Sequence, residues 1–169
     1  MTPELFGLTV RILDQHRIMT LATNRSDGWP QATVVGYAND GITIYCFVAR
    51  LSQKYSNIIR DPRVSAAVAS DFNQPLDIKG LSLAGKAVPV TDESEFERAC
   101  AIFMNRYPEY ATWPRPNPAI SPMLRITPTV FSVLDYSKGF GHSDLVQIEQ
   151  QKLGKNSSNT HDWFGRSSG

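Results

Sequence analysis

The sequence predicts a mainly β fold of the α+β class: an antiparallel sheet, closed on itself or covered on both faces, with flanking helices. Three observations carry this. Two tight turns, Ser26-Asp27-Gly28 and Asn39-Asp40-Gly41, separate β-like runs, and glycine supplies the positive φ such hairpins need. Residues 42–48 place Ile42, Ile44, Cys46 and Val48 on one face and Thr43, Tyr45 and Phe47 on the other, so both faces carry apolar groups. Elsewhere apolar residues recur at helical spacing.

The elements follow in order. Thr2 and Pro3 suit an N-cap and a first helical residue, with Leu5, Leu8 and Ile12 spaced by three and four. Residues 17–23 read as the first strand, Pro30 opens a second over 31–37, and 42–48 is the third. Leu51, Tyr55, Ile58 and Ile59 then predict one buried stripe of a short helix. Asp61-Pro62 stops it, because the residue before proline is pushed out of the α region. A strand over 64–69 and a loop at 71–75 precede a long strand over 78–90. Gly80 and Gly85 within that strand predict bulges or close approach to the backbone. Asp92 and Glu95 have capping-box spacing, and the helix they open buries Phe96, Ala99, Cys100, Phe103, Met104 and Tyr107 before Pro108 ends it. Pro114, Pro116, Pro118 and Pro122 bar regular structure over 110–122. A final strand pair, broken near Thr127-Pro128, ends at Asp135-Tyr136. Beyond Gln150 the polar composition predicts a mobile tail, so the chain divides into a domain of 1–136 and an extension of 137–169.

Composition narrows the function classes. A chain of 169 residues suits one core, and a formal charge of +1 offers nucleic acid no electrostatic footprint. No apolar run is long enough to span a membrane, and the N-terminus carries no signal pattern. Cys46 and Cys100 read as buried free thiols, which suits a reducing cytoplasm. His16, His142 and His161 are scattered and neither cysteine has a CxxC partner, so no metal is expected. Nucleophile elbow, Walker and Rossmann glycine patterns are all missing.

What remains is the junction of the third strand and the short helix, Phe47-Val48-Ala49-Arg50-Leu51-Ser52-Gln53-Lys54. A helix start presents unpaired N–H groups and a positive dipole end, to which Ser52 can add a hydroxyl and Lys54 a full charge, so a phosphate fits. The plainer alternative is that Ser52 caps the helix and Lys54 is a solvated surface residue.

Residues 30–35, Asp40-Gly41, residues 47–54 and Asp61-Pro62-Arg63-Val64 resemble the core of the pyridoxamine 5′-phosphate oxidase-like, FMN-binding split-barrel family. The resemblance continues in order through Gly85, the helix at 96–107 and Leu124-Arg125-Ile126-Thr127-Pro128, covering residues 5–136. It implies an antiparallel split β-barrel with flanking helices, assembled as a homodimer whose cofactor site is shared, with Trp113 or residues 78–84 as candidates for the cross-protomer wall. It implies FMN as cofactor and oxidoreductase chemistry on a small-molecule substrate. The isoalloxazine would lie along the second and third strands, at Thr33, Val34 and Val35 and at Phe47 and Val48, largely on backbone groups. The phosphate would be held by Ser52, Gln53 and Lys54, with Arg50 a further donor. Many members carry arginine where this chain has Gln53 or Ser52, so its anchor is less cationic. Without the resemblance, the strand residues would read as ordinary barrel core.

No side chain is singled out as catalytic; Tyr37 and Tyr45 are the weak acid–base candidates. Authentic pyridoxamine 5′-phosphate oxidases end in a basic, His- and Trp-containing segment closing with Arg-Leu-x-Pro, whereas this chain ends Asp162-Trp163-Phe164-Gly165-Arg166-Ser167-Ser168-Gly169. The vitamin B6 enzyme itself is therefore not the expectation. Alternatives on the same barrel are a non-catalytic flavin carrier or stress-associated protein, a deazaflavin in the same groove, and a haem-binding relative using His142.

Overall fold

The computed structural model describes residues 2–69 and 71–148. Eight strands form one sheet: β1 (Ile18–Asn24), β2 (Pro30–Gly36), β3 (Ala38–Asp40), β4 (Thr43–Phe47), β5 (Arg63–Ala69), β6 (Lys79–Pro89), β7 (Met123–Asp135) and β8 (Ser143–Gln147). Three helices flank it: α1 (Pro3–Gln15), α2 (Gln53–Arg60) and α3 (Glu93–Arg106). The strands pair in the order β2-β1-β5-β6-β7-β4-β3, with β8 added on β7, and every pairing is antiparallel.

β2 and β3 are consecutive in sequence yet stand at opposite ends of that order. β2 lies against β4 without pairing to it, so the sheet curls into a barrel that stays open along one seam. The sequence reading joined the second strand, 31–37, to the third by a hairpin at Asn39-Asp40-Gly41; the structure ends β2 at Gly36 and pairs β4 with the separate short β3 instead. There the Tyr37 amide donates to the Arg17 carbonyl at 3.0 Å and the fully buried phenol donates to the Leu13 carbonyl at 2.8 Å. The chain crosses the seam, and Gly41 (φ +58°) then closes the short β3–β4 hairpin. Gly28 (φ +84°) turns β1 into β2.

Alternate residues fill the barrel. Met19, Leu21, Ile44, Cys46, Val64, Ala66, Val68, Leu81 and Leu83 point inward, and Ile12 and Leu13 of α1 pack into the same cluster. On β7, Leu124 and Ile126 face this core and so do Phe131 and Val133, an odd offset that needs one change of phase. A register shift between Ala84 and Gly85 supplies it opposite Pro128, which has no N–H to lose from the ladder. The expected break near Thr127-Pro128 is thus a bulge within one continuous strand. Gly85 is required there, since a Cβ would stand 2.6 Å from the Thr127 carbonyl oxygen.

A second layer covers the outer face of β4. Tyr45 packs with Phe96, Ala99, Cys100 and Met123, and Phe47 joins them with Phe103 of α3. Asp92 caps α3 by accepting from the Glu95 amide at 2.8 Å. Glu95 does not reach back to the cap; both its carboxylate oxygens accept from Arg125 Nη1 (2.9 and 2.7 Å), and Oε1 also accepts from the Tyr45 hydroxyl.

The stripe expected on α2 is corrected. Ile58 is buried, but Leu51 is 98% exposed and Ile59 56% exposed, because Leu51 precedes the helix and the buried face turns toward Asn57. Asn57, a polar residue at 1% exposure, donates to Thr23 Oγ1 (3.0 Å) and Gln31 Oε1 (3.1 Å) and accepts from Gln53 Nε2 (2.9 Å). α2 is thereby tied to β1 and β2. β8, unpredicted from the sequence, extends the sheet past residue 136 by pairing with β7. The tail expected beyond Gln150 lies outside the described residues.

Candidate functional site

The phosphate expectation centres on the first turn of α2. Ser52 is its N-cap: the hydroxyl accepts from the Tyr55 amide at 3.3 Å and donates its proton to the Ala49 carbonyl at 2.6 Å. That proton is committed within the turn. The amides of Gln53 and Lys54 precede the first intrahelical acceptor and point out of the helix end, as the opening amides of any α-helix do. The Gln53 side chain leans back along α2 to Asn57. Lys54 is half-buried and enters none of the ion pairs formed among the described residues. Its charge is felt at Cys46, whose thiol burial pushes up to about 12 while Lys54 pulls the other way.

Arg50, expected as a further phosphate donor, has another engagement. Its guanidinium donates to the carbonyls of Ala119 (2.9 Å) and Pro118 (2.8 Å) and to the Tyr55 hydroxyl (3.3 Å), while its amide donates to Ile120. It also lies over the Tyr55 ring at 5.3 Å. Arg50 therefore fastens the proline-rich loop to the start of α2, a role invisible in sequence because its partners are some seventy positions away.

The strand residues divide by face. Val35 and Val48 are buried in the barrel, and Phe47 lies on the opposite face against α3. Val34 is 66% exposed, and with Ile18 and Trp29 it puts apolar surface outside the sheet beside the β1–β2 hairpin. Thr33 points inward with a buried Oγ1 that has no hydrogen-bond partner among the described residues. β2 is a terminal strand, so alternate backbone N–H and C=O groups along its free edge face the seam without a ladder partner. Open backbone on β2, an orphaned hydroxyl at Thr33 and an ammonium outside the ion pairs of the described residues are the group types a ring and a phosphate would engage, and α2 is tied to β2 through Asn57 and Gln31. These residues fit FMN.

Tyr37 and Tyr45 do not serve this site as acid or base. Burial raises both phenols, Tyr37 far above the ordinary value, and both hydroxyls donate within the structure, to Leu13 and Glu95. Sequence reasoning also missed a cleft of about 370 Å³ between the end of β2, β4, α3 and the proline-rich loop. Phe103, Tyr107, Tyr110 and Trp113 form its wall as a run of ring contacts with centroids 4.5, 5.5 and 4.6 Å apart. Phe103 and Tyr107 were legible only as helix core, whereas Tyr110 and Trp113 fell in the stretch read as irregular, with Trp113 a candidate for the cross-protomer wall.

The family model described as pyridoxamine 5′-phosphate oxidase matches residues 9–133. The chain belongs to that family. No curated protein matches it in sequence. Among solved structures, the fold is similar to a haem-binding protein from Mycobacterium smegmatis, with a TM-score of 0.73 and 21% identity over 87% of this chain and 59% of that one. The chain thus spans little more than half of that protein's length. A candidate pyridoxamine 5′-phosphate oxidase from Listeria innocua gives 0.63 at 24% identity over 78% of this chain and 98% of that one. A haem storage protein from Vibrio cholerae gives 0.58 at 19% identity over 70% and 87%. These likenesses establish the split-barrel fold. Among the described residues no cluster of His, Cys, Asp and Glu could hold a metal ion, and no helix is long and apolar enough to cross a membrane.

Proposed function

We propose that this protein binds FMN at the barrel seam and acts as an FMN-dependent oxidoreductase on a small molecule. The observation that carries the reading is Lys54: a half-buried lysine at the first turn of α2, with no ion-pair partner among the described residues, on a helix that Asn57 ties to β1 and β2. In this reading Lys54 and the amides of Gln53 and Lys54 hold the phosphate, while Thr33 and the free edge of β2 meet the polar rim of the ring. Phe47 and Val48, whose side chains lie on opposite faces of the sheet, would meet the ring through their backbone. When bound, the flavin supplies hydride exchange. This chain's part is to hold, orient and exclude water; none of its side chains is assigned a proton transfer.

The protein acts as a homodimer in this reading. Val34, Ile18 and Trp29 leave apolar surface beside the unpaired edge of β2, and a second protomer would cover both. Sedimentation should show a dimer at micromolar concentration; a stable monomer refutes this. The buried free thiols favour a reducing cytoplasm as the setting.

A second reading, haem binding, draws on the haem-binding relatives of the fold. It would need His142, which lies in the β7–β8 connection with Nε2 3.3 Å from Asp144, and it would give a Soret band on haem addition.

The flavin test isolates the anchor. A charge-assisted hydrogen bond contributes about 1.5–3 kcal/mol. Lys54→Ala should therefore weaken FMN binding about ten- to hundred-fold, since ~1.4 kcal/mol is a factor of ten. Riboflavin, which has no phosphate, should bind variant and parent alike, and Lys86→Ala on the exposed side of β6 should change neither. Parental FMN affinity in Lys54→Ala refutes the anchor; protein that takes up no FMN refutes the reading. A carrier is distinguished by tight FMN binding with no reduction by any nicotinamide donor.

A further inference from the structure

The aromatic cleft has a chemistry of its own. Its lining includes no charged side chain. The Arg17 guanidinium, 4.3 Å from the Tyr107 ring centre, is already paired with Glu109. Arg115, on the same loop as Trp113, is held by Glu93 and Glu97. The Tyr107 hydroxyl is spent on the backbone of Arg17 and Tyr37. The Tyr110 hydroxyl and the Trp113 indole N–H, in contrast, donate to nothing among the described residues, and Trp113 is 65% exposed at the end of the ring series. A cavity of this size, walled by ring faces whose residues Tyr110 and Trp113 each keep an unspent neutral donor, suits a flat molecule with an uncharged oxygen. A phosphate or carboxylate entering it would lose its hydration without meeting a free cation.

We propose that the cleft is the substrate subsite and selects uncharged planar aromatic molecules bearing a hydroxyl or carbonyl oxygen, excluding their phosphorylated counterparts. The substrate role rests on the flavin reading, because Phe47 is shared between the cleft wall and the expected ring site. Arg50 is then a positioning residue, holding through Pro118 and Ala119 the loop that carries Trp113.

The test uses the full-length protein, FMN-free and FMN-loaded, titrated by calorimetry with 2-naphthol and with 2-naphthyl phosphate. 2-Naphthol should bind both forms, and 2-naphthyl phosphate at least ten-fold more weakly. Trp113→Ala and Tyr110→Ala should each weaken 2-naphthol about ten-fold, with far-UV circular dichroism unchanged. Equal affinity for the two probes, or parental 2-naphthol affinity in both variants, overturns the proposal. So does a Trp113→Ala variant that loses its dimer while keeping 2-naphthol affinity, which would give this wall to a second copy of the chain. Protein that binds FMN but not 2-naphthol refutes the cleft alone. Protein that binds 2-naphthol but not FMN refutes the flavin reading, and the substrate role with it.

Discussion

Asn57→Ala removes the polar hub that seats α2 on the barrel, and its cost can be built up from the contacts. Three hydrogen bonds are lost, to Thr23, Gln31 and Gln53. Gln53 is exposed and Gln31 half-buried, so water can replace much of what they lose, leaving about 0.5–1 kcal/mol each. Thr23 is 2% exposed, so its hydroxyl is stranded at a penalty of about 1–3 kcal/mol. The sum is about 2–5 kcal/mol, which at roughly 2–4 °C per kcal/mol for a chain of this size lowers Tm by about 4–20 °C. Urea unfolding followed by tryptophan fluorescence measures the loss. The decisive arm is a double-mutant cycle with Thr23→Val: once the hydroxyl is gone, Asn57→Ala should cost at least about 1 kcal/mol less. Additive losses, or an Asn57→Ala cost below about 1 kcal/mol, would show that the buried hub contributes nothing beyond its separate parts.

Two further predictions concern the barrel. Gly85→Ala forces a Cβ against the Thr127 carbonyl oxygen and the Pro128 backbone, which cannot rotate away, so stability should fall by about 1–3 kcal/mol in urea titration; an unchanged midpoint would mean the bulge relaxes freely. Burial raises the Cys46 thiol from its ordinary 9.0 to about 12, so its contribution is complete below pH 9 and is lost as pH rises from about 9 to about 12, at about 1.4 kcal/mol per unit. Cys46→Ala should flatten the stability profile between pH 9 and 10, before the raised Tyr37 phenol adds its own loss, and an unaltered slope there would count against a buried thiol.

Most of the sheet was legible because a half-buried strand writes its register into alternation. Met19, Leu21 and Thr23 face inward between exposed neighbours, and so do Val64, Ala66 and Val68. Gly85 was legible as a close approach, and Asp92 as a cap. The seam was not: Gly36 precedes Tyr37 but reads equally as a strand residue, and only the distant partners Arg17, Leu13 and Tyr107 place the break. α2 misled because period alone assigns the buried face, and here hydrogen bonding rather than apolar area decided it. At the candidate site the N-cap could be read from Ser52, whereas the engagement of Arg50 depended on loop carbonyls that no local pattern reveals.

The open end of the β1–β2 pair is pinned from outside the sheet. The Tyr107 hydroxyl accepts from the Tyr37 amide at 2.9 Å and donates to the Arg17 carbonyl, so one phenol at the end of α3 joins the chain entering β1 to the chain leaving β2. Tyr107 is also a ring of the aromatic wall. One wall of the cleft and the point where the chain leaves β2 for β3 therefore share a single side chain. A guest wedged between those rings would press on the phenol that pins this crossing, so the cleft cannot widen there without disturbing the backbone of Arg17 and Tyr37.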